Sequence, residues 1–419
     1  MNAVNAYLKL VRKNLDKPTI AYKLIKYGLS VAEKYVSFFP DRRLPESLRS
    51  LTKLCFKYIR APIDNPQNSV WVNVFAPTEF LHAMDIYPLF IEAYSSYMSG
   101  FCVEDCLIDK AESAGISNTL CSYHKAFIGS GELGILPKPK MAVTTSMVCD
   151  ANINTFRYLA AKFDIPIYII DIPYEYNRNT VEYVKGQLLE MIGLIEGVFN
   201  KKLDLDRLRE IISLENRTRK LIKEYINNLK SKSFNTTMAT EMYMLFTSHV
   251  FMGLEETFDF YERLVDDIKK APDRSGKGIF FVHLLPMFEK SFKKYLNFSS
   301  EFQILGSDLN YDFLDEMYCP DPFEAIAEKM ILNIYNGGFE RRVKAVSNLV
   351  DEIKPDGIIQ FCHWGCKQSI GGVGIYRNYF RERGIPFLAV DGDAIDKRNN
   401  QEGQIRTRLE AFLEILKRR

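Results

Sequence analysis

The chain carries almost no excess of charge: fifty-five lysines and arginines stand against fifty-three aspartates and glutamates, a formal net charge of +2. Nucleic acid or an anionic membrane surface calls for a basic excess, so neither is expected as a partner. No apolar run approaches the ~20 residues that cross a bilayer, and the first residues, Met-Asn-Ala-Val-Asn-Ala-Tyr-Leu-Lys, lack the apolar stretch of a signal peptide. The expected compartment is the cytoplasm. Low-complexity tracts and short-period repeats are missing. So is any Gly-x-x-x-x-Gly-Lys-Ser/Thr loop, which leaves no phosphate cradle for a nucleotide. Gly129-Ser-Gly-Glu-Leu-Gly134 has the letters of a dinucleotide fingerprint, but it follows no predicted strand, opens no predicted helix and runs into Pro137 and Pro139. It reads as a glycine turn.

What the chain does have is cysteine, eight residues unevenly placed. In a reducing compartment these are not expected to form disulfides. Cys102, Cys106, Cys121 and Cys149 fall in one window, and Cys362 and Cys366 in another. Cys55 sits in a helical apolar pattern and Cys319 in a turn before Pro320, and both read as structural. The spacing C-x-x-x-C occurs twice, at Cys102/Cys106 and Cys362/Cys366, and on a helix or tight loop it places two thiols on one side. Structural zinc and redox dithiols favour C-x-x-C, so six clustered thiols suit iron-sulfur chemistry better. Three cysteines would hold one cubane with an iron left free, and six would hold two.

At 419 residues the chain exceeds one hydrophobic core. Apolar strands alternate with helical patterns twice over, which predicts an α/β protein with two doubly wound parallel sheets. The expected divisions are an N-terminal helical segment (1–62), a first α/β domain (63–200), a helical connector (201–272) and a second α/β domain (273–419). The run 165–171 is continuously apolar and is predicted to be a strand covered on both faces. Gly357-Ile-Ile-Gln-Phe-Cys362-His-Trp-Gly-Cys366 is a buried strand that empties into a loop with two thiols, and loops at the carboxyl ends of parallel strands carry ligand sites.

Other candidates accompany the thiols. Glu92 follows a strand in an apolar run, where burial would raise its pKa and fit it for proton transfer. His124, His283 and His363 are isolated histidines read as packing or supporting residues, with His363, beside the thiols, the best placed to donate a proton. Asp391, Asp393 and Asp396 have arginines and a lysine close by, and read as ion-pair and capping groups.

Cys121-Ser-Tyr, Ser146-Met-Val-Cys149-Asp, His363-Trp-Gly-Cys366-Lys-Gln and the tail Asp391-Gly-Asp-Ala-Ile-Asp-Lys-Arg398, with Gln404-Ile-Arg-Thr-Arg-Leu-Glu-Ala-Phe, together resemble the 2-hydroxyacyl-CoA dehydratase superfamily. The resemblance runs from about residue 70 to the C-terminus. It implies two flavodoxin-like domains with a cluster between them, held by Cys121, Cys149 and Cys366, and a separate ATP-hydrolysing iron-sulfur activase as electron donor. It also implies a dimer of like subunits. In the dehydratase branch an acyl-CoA is the substrate and a glutamate, matched here by Glu92, assists proton removal. A serine that assists this glutamate is replaced by Asn73. Cys102, Cys106 and Cys362 exceed the needs of one 4Fe-4S cubane, and another branch of the superfamily holds a double cubane (8Fe-9S) and reduces small molecules. Double-cubane reductase is therefore the first expectation, dehydratase subunit the second, and a zinc-binding regulator or scaffold a minor third.

Overall fold

The computed structural model describes residues 3–234, 236–318 and 320–419. Cys319, expected in a structural turn, lies outside the described residues. The chain opens with helices Ala3–Lys13, Pro18–Phe38 and Glu46–Asp64, the second starting at a proline in its first turn and ending before Pro40.

Eight strands follow in two sets. β1 (Ser69–Val72), β2 (Tyr87–Phe90), β3 (Met141–Thr145) and β4 (Ile167–Ile170) make a four-stranded sheet, and β5 (Lys277–Val282), β6 (Phe302–Ser307), β7 (Gly357–His363) and β8 (Phe387–Gly392) make a second. Every pairing is parallel, and the orders β2-β1-β3-β4 and β6-β5-β7-β8 are the same path traced twice. These are two flavodoxin-like, doubly wound α/β folds. In each, the chain starts at a central strand, moves one way, then crosses back. A crevice opens where the direction reverses, beyond the carboxyl ends of β1 and β3 in one sheet and of β5 and β7 in the other.

The central strands read as unbroken apolar runs because both of their faces are covered. Val70 and Val72 lie in one apolar cluster with Phe280 and Val282, while Trp71 lies in a second with Ile279 and Phe281, so alternate side chains serve opposite layers. Trp71 is fully buried, and its indole N–H donates to the Pro137 carbonyl at 3.1 Å. Along the chain, β4 and β5 are joined by the helices Arg178–Phe199, Leu205–Leu229, Met238–Ser248 and Glu255–Lys270. A buried ion cluster joins the parts: Glu215 and Arg219 of the connector pair at 2.7 Å, and Lys329, from the second sheet's side, bonds Glu79, from the first.

Three expectations change. β4 is an edge strand and is only partly covered along most of its length, because no fifth strand follows it. β6 was not legible, since Gln303 interrupts its apolar pattern; that side chain is buried because it accepts from the Phe234 N–H and donates to the Lys232 carbonyl. The Gly129–Gly134 stretch is mostly helix, ending Ser122–Glu132, with Gly134 (φ +69°) just beyond. Gly129 is a notch: a Cβ there would lie 1.8 Å from the Leu107 carbonyl oxygen of the helix Glu104–Ser113.

That notch can be tested against a control. Gly129→Ala should destabilise by about 1–3 kcal/mol through overpacking. Gly186→Ala, in an open stretch of the helix Arg178–Phe199 with no atom within 4 Å of the new Cβ, should stabilise by about 0.4–1 kcal/mol. Denaturant midpoints of the two variants should move in opposite directions.

Candidate metal centre

Three thiols stand where the two sheets present their carboxyl ends to each other. Cys149 follows β3 and precedes the helix Asp150–Phe163; Cys366 follows β7 and precedes the short helix Lys367–Ile370; Cys121 precedes the helix Ser122–Glu132. Gly365 lets the loops meet. Its φ is +77°, and a Cβ would lie 2.6 Å from the Cys121 nitrogen and 2.7 Å from the Thr119 carbonyl oxygen. Gln368, two residues beyond Cys366, donates to the Val148 carbonyl at 2.9 Å, beside Cys149. Val148 and His283 both adopt left-handed backbone (φ +67° and +72°), a strain that for a β-branched or bulky residue persists only where surrounding contacts enforce it.

Each sulfur has its own histidine. Cys121 Sγ lies 3.2 Å from His363 Nε2, Cys366 Sγ lies 3.3 Å from His283 Nε2, and Cys149 Sγ lies 3.8 Å from His124 Nε2. The chain has five histidines in all, so most of them are committed here. Burial lowers the pKa of all three, that of His124 to about 4, so they are neutral near pH 7. Burial also raises the three thiols, Cys149 to about 11. Cys366 and Cys149 add to the rise at Cys121, and Cys366 adds to it at Cys149, so the three sulfurs feel one another's charge. A thiolate here needs a cation to share its charge.

Supporting contacts hold the rings. The Ala394 N–H donates to His363 Nδ1 at 3.0 Å. Asp393, itself buried, accepts from Ser122 Oγ at 2.5 Å and from the backbone N–H groups of Ile395 and Asp396 at 2.9 Å, which ties the loop after β8 to the Cys121 helix. Asp391 and Asp396 pair with Arg408 and Arg398. On the far side, His283 Nδ1 faces Tyr335 Oη at 3.3 Å, and that phenol is shared with Asp308 (2.9 Å) and Arg342 (2.8 Å). Asp308, Tyr335 and Arg342 lie in no motif, and sequence reasoning did not find them.

Glu92 stands at the start of the helix Ile91–Gly100, just after β2. Burial raises its carboxyl to about 7, while the backbone N–H groups of Glu92 and Val74 and the nearby His249 oppose the rise. Oε2 is buried without a hydrogen-bond partner. Its charge reaches Cys149 and Tyr123. Asn73, at the end of β1, donates to Thr145 Oγ1 at 3.2 Å and accepts from Thr144 Oγ1 at 3.4 Å.

The other thiols lie elsewhere. Cys102 is exposed in a left-handed turn (φ +56°) between helices, and Cys106 is on the next helix, with Asp105, Arg12 and Asp109 as its charged neighbours. The two therefore do not share a helix face. Cys362 is buried on β7, where alternation turns it away from His363, toward Asp391, Arg377 and Arg408. Cys55 is buried with its Sγ 3.8 Å from the Tyr243 carbonyl. Among the described residues no group of three Cys, His, Asp or Glu side chains closes on one point as a single metal ion requires.

Two parallel α/β folds meet over three thiols, one buried and two half-buried, and comparison with known proteins names the family. Residues 73–416 match the family described as 2-hydroxyglutaryl-CoA dehydratase, D-component, and the chain belongs to it. It is similar to the (R)-phenyllactyl-CoA dehydratase alpha subunit of Clostridium sporogenes, 21% identical, with 90% of this chain and 96% of that one covered. It is also similar to the (R)-2-hydroxyisocaproyl-CoA dehydratase alpha subunit of Clostridioides difficile (24%; 83% and 90% covered) and to a benzoyl-CoA reductase subunit of Thauera aromatica (24%; 74% and 79% covered). The chain is thus an enzyme of the dehydratase and reductase type. No described helix is long and apolar enough to cross a membrane.

The Glu92 carboxyl gives a pH signature. Its pKa is raised from 4.5 to about 7 on folding, so the folded chain holds a proton that the unfolded chain releases, and this group's contribution to stability falls as pH rises from about 4.5 to 7 and is level above. Glu92→Gln removes that loss. In metal-free protein, the stability of the variant relative to the parent should grow between about pH 5 and pH 7.5; an equal difference at both values would contradict a buried, proton-holding carboxyl.

Proposed function

We propose that this chain is a subunit of a 2-hydroxyacyl-CoA dehydratase in which Cys121, Cys149 and Cys366 hold one 4Fe-4S cluster between the two sheets. The observation that carries the reading is the meeting of these three thiols, from three separate loops, at the reversal points of both sheets. A cubane spreads its thiolates around a volume, whereas zinc takes donors at about 2.0–2.3 Å from one point. Thiols set around a crevice, each shielded and flanked by an N–H or imidazole group, fit the former. The double-cubane reductase suggested by counting six cysteines needs Cys102, Cys106 and Cys362 at the same place, and their separation favours the single cluster.

The cluster, when bound, supplies single electrons at low potential. The chain's own residues do the rest. Glu92, with a pKa of about 7, is about half protonated at neutral pH and can both take and return a proton. It is the residue assigned to proton transfer at an acyl-CoA substrate. His363 has both ring nitrogens engaged, one by Ala394 and one by Cys121, so it serves the sulfur. Val74 and the threonine-held Asn73 fix the loop facing Glu92. The proposed partners are an ATP-hydrolysing iron-sulfur activase, since the chain has no phosphate loop of its own, and a like subunit completing a dimer, as the alpha and beta subunits among the relatives suggest. The cytoplasm is the compartment that would keep such thiols reduced.

Anaerobic reconstitution with iron and sulfide tests this. About four irons per chain are expected. Cys366→Ala should lose them, while Cys106→Ala and Cys362→Ala should keep them. About eight irons, halved by Cys106→Ala or Cys362→Ala, would establish the double cubane, and zinc in place of iron would end both. Glu92→Gln should retain the iron and lose dehydration.

A further inference from the structure

We propose that His363, His283 and His124 are positioning residues that donate one N–H each to the three thiolates, and that this shell sets the reduction potential of the bound cluster. The inference rests on the cluster reading above. Its geometric basis is the one-to-one match of three histidines to three sulfurs at 3.2, 3.3 and 3.8 Å.

The protons can be assigned by counting donors. His363 Nδ1 accepts from the Ala394 backbone N–H. A backbone N–H only donates, so in the neutral ring the proton is on Nε2, aimed at Cys121 Sγ. For His283 the choice runs through Tyr335. A free thiol at Cys366 has a proton to give to Nε2, but a metal-bound thiolate has none. The arrangement that then satisfies every group turns the Tyr335 hydroxyl to His283 Nδ1 and puts the ring proton on Nε2, facing the sulfur. Asp308 is not left bare by that turn, because it keeps Arg342 Nε at 3.0 Å and the His283 backbone N–H at 2.5 Å. His124 Nδ1 faces Thr155 Oγ1 at 2.9 Å, a hydroxyl able to donate to it and so to leave Nε2 as the donor. The rings are buried and mutually close: His363 influences both His124 and His283 electrostatically.

Neutral donors suit the task. Reduction adds negative charge to the sulfurs, and an N–H dipole aimed at them stabilises the reduced state more than the oxidised one, which raises the potential. The other two histidines are engaged away from the thiols, His82 with the Val250 carbonyl and His249 with Asp312.

The experiment measures the midpoint potential of the reconstituted, full-length chain by redox titration followed with electron paramagnetic resonance. His363→Phe keeps a ring of similar size and removes the donor. His363→Gln keeps an amide N–H for the sulfur and an oxygen for the Ala394 N–H. His283→Phe is measured in parallel in case one variant does not fold, and His82→Gln is the control. The Phe variants should bind the parent's complement of iron with a lower potential, about tenfold in the one-electron equilibrium, or roughly 59 mV. Gln should restore part of the shift and the control should show none. Phe variants that bind iron at the parent's potential, or Gln and Phe variants shifted alike, would overturn the donor shell and leave the cluster standing. A parent chain that binds no iron would overturn both readings.

Discussion

The structure turns on the cost of bringing three sulfurs together, one buried and two half-buried. Burial pushes each thiol above its ordinary range, and their mutual repulsion pushes Cys121 and Cys149 further, so without a cation the three thiols stay neutral. A metal that displaces those protons gains three ligands and relieves a desolvation penalty in one event, which couples its affinity to pH and to the integrity of the fold. Much of the surrounding architecture serves to hold the sulfurs in place. The two sheets lend their reversal points, Gly365 removes the one side chain that would separate the loops, and Asp393 binds the second sheet's last loop to the helix behind Cys121.

Around the crevice the groups that support the sulfurs and the group that can move a proton are different residues. The three imidazoles are neutral near pH 7, held so by burial and, for His283, by the charge of Arg342. They offer dipoles and no exchangeable charge in the working range. Glu92, placed after β2 on the first sheet's side, is the group that titrates near neutrality. One carboxyl can therefore change its charge without disturbing the histidines' support of the sulfur, although its field reaches Cys149.

Much of this was legible from residue types alone. The strand that empties into Cys366, the strand before Cys149 and the doubly wound alternation follow from apolar runs and helical periods, because central parallel strands have no solvent face to hide. What escaped has physical reasons. β6 carries a buried glutamine whose polarity is met by a distant backbone, a compensation no local pattern shows. Six cysteines that look clustered along the chain do not all face one point, since a left-handed turn parts Cys102 from Cys106 and the two-residue period of β7 points Cys362 away from its neighbour. The pairing of histidines with sulfurs joins residues 25, 83 and 242 positions apart, so spacing could not have foretold it.

The repeated strand order also gives the thiols equivalent addresses in the two halves. A chain that traces one topology twice can be laid half against half by position. Cys149 and Cys366 then become the same residue, each the first helix-leading position after the third strand of its half. Cys121 opens the helix before the third strand of the first half, and the matching helix of the second half, Phe339–Ile353, is led by Gly338. Of four equivalent stations, three bear sulfur and one bears a hydrogen atom. At these stations the halves differ in one side chain, so two of the three thiols come from the first half and one from the second.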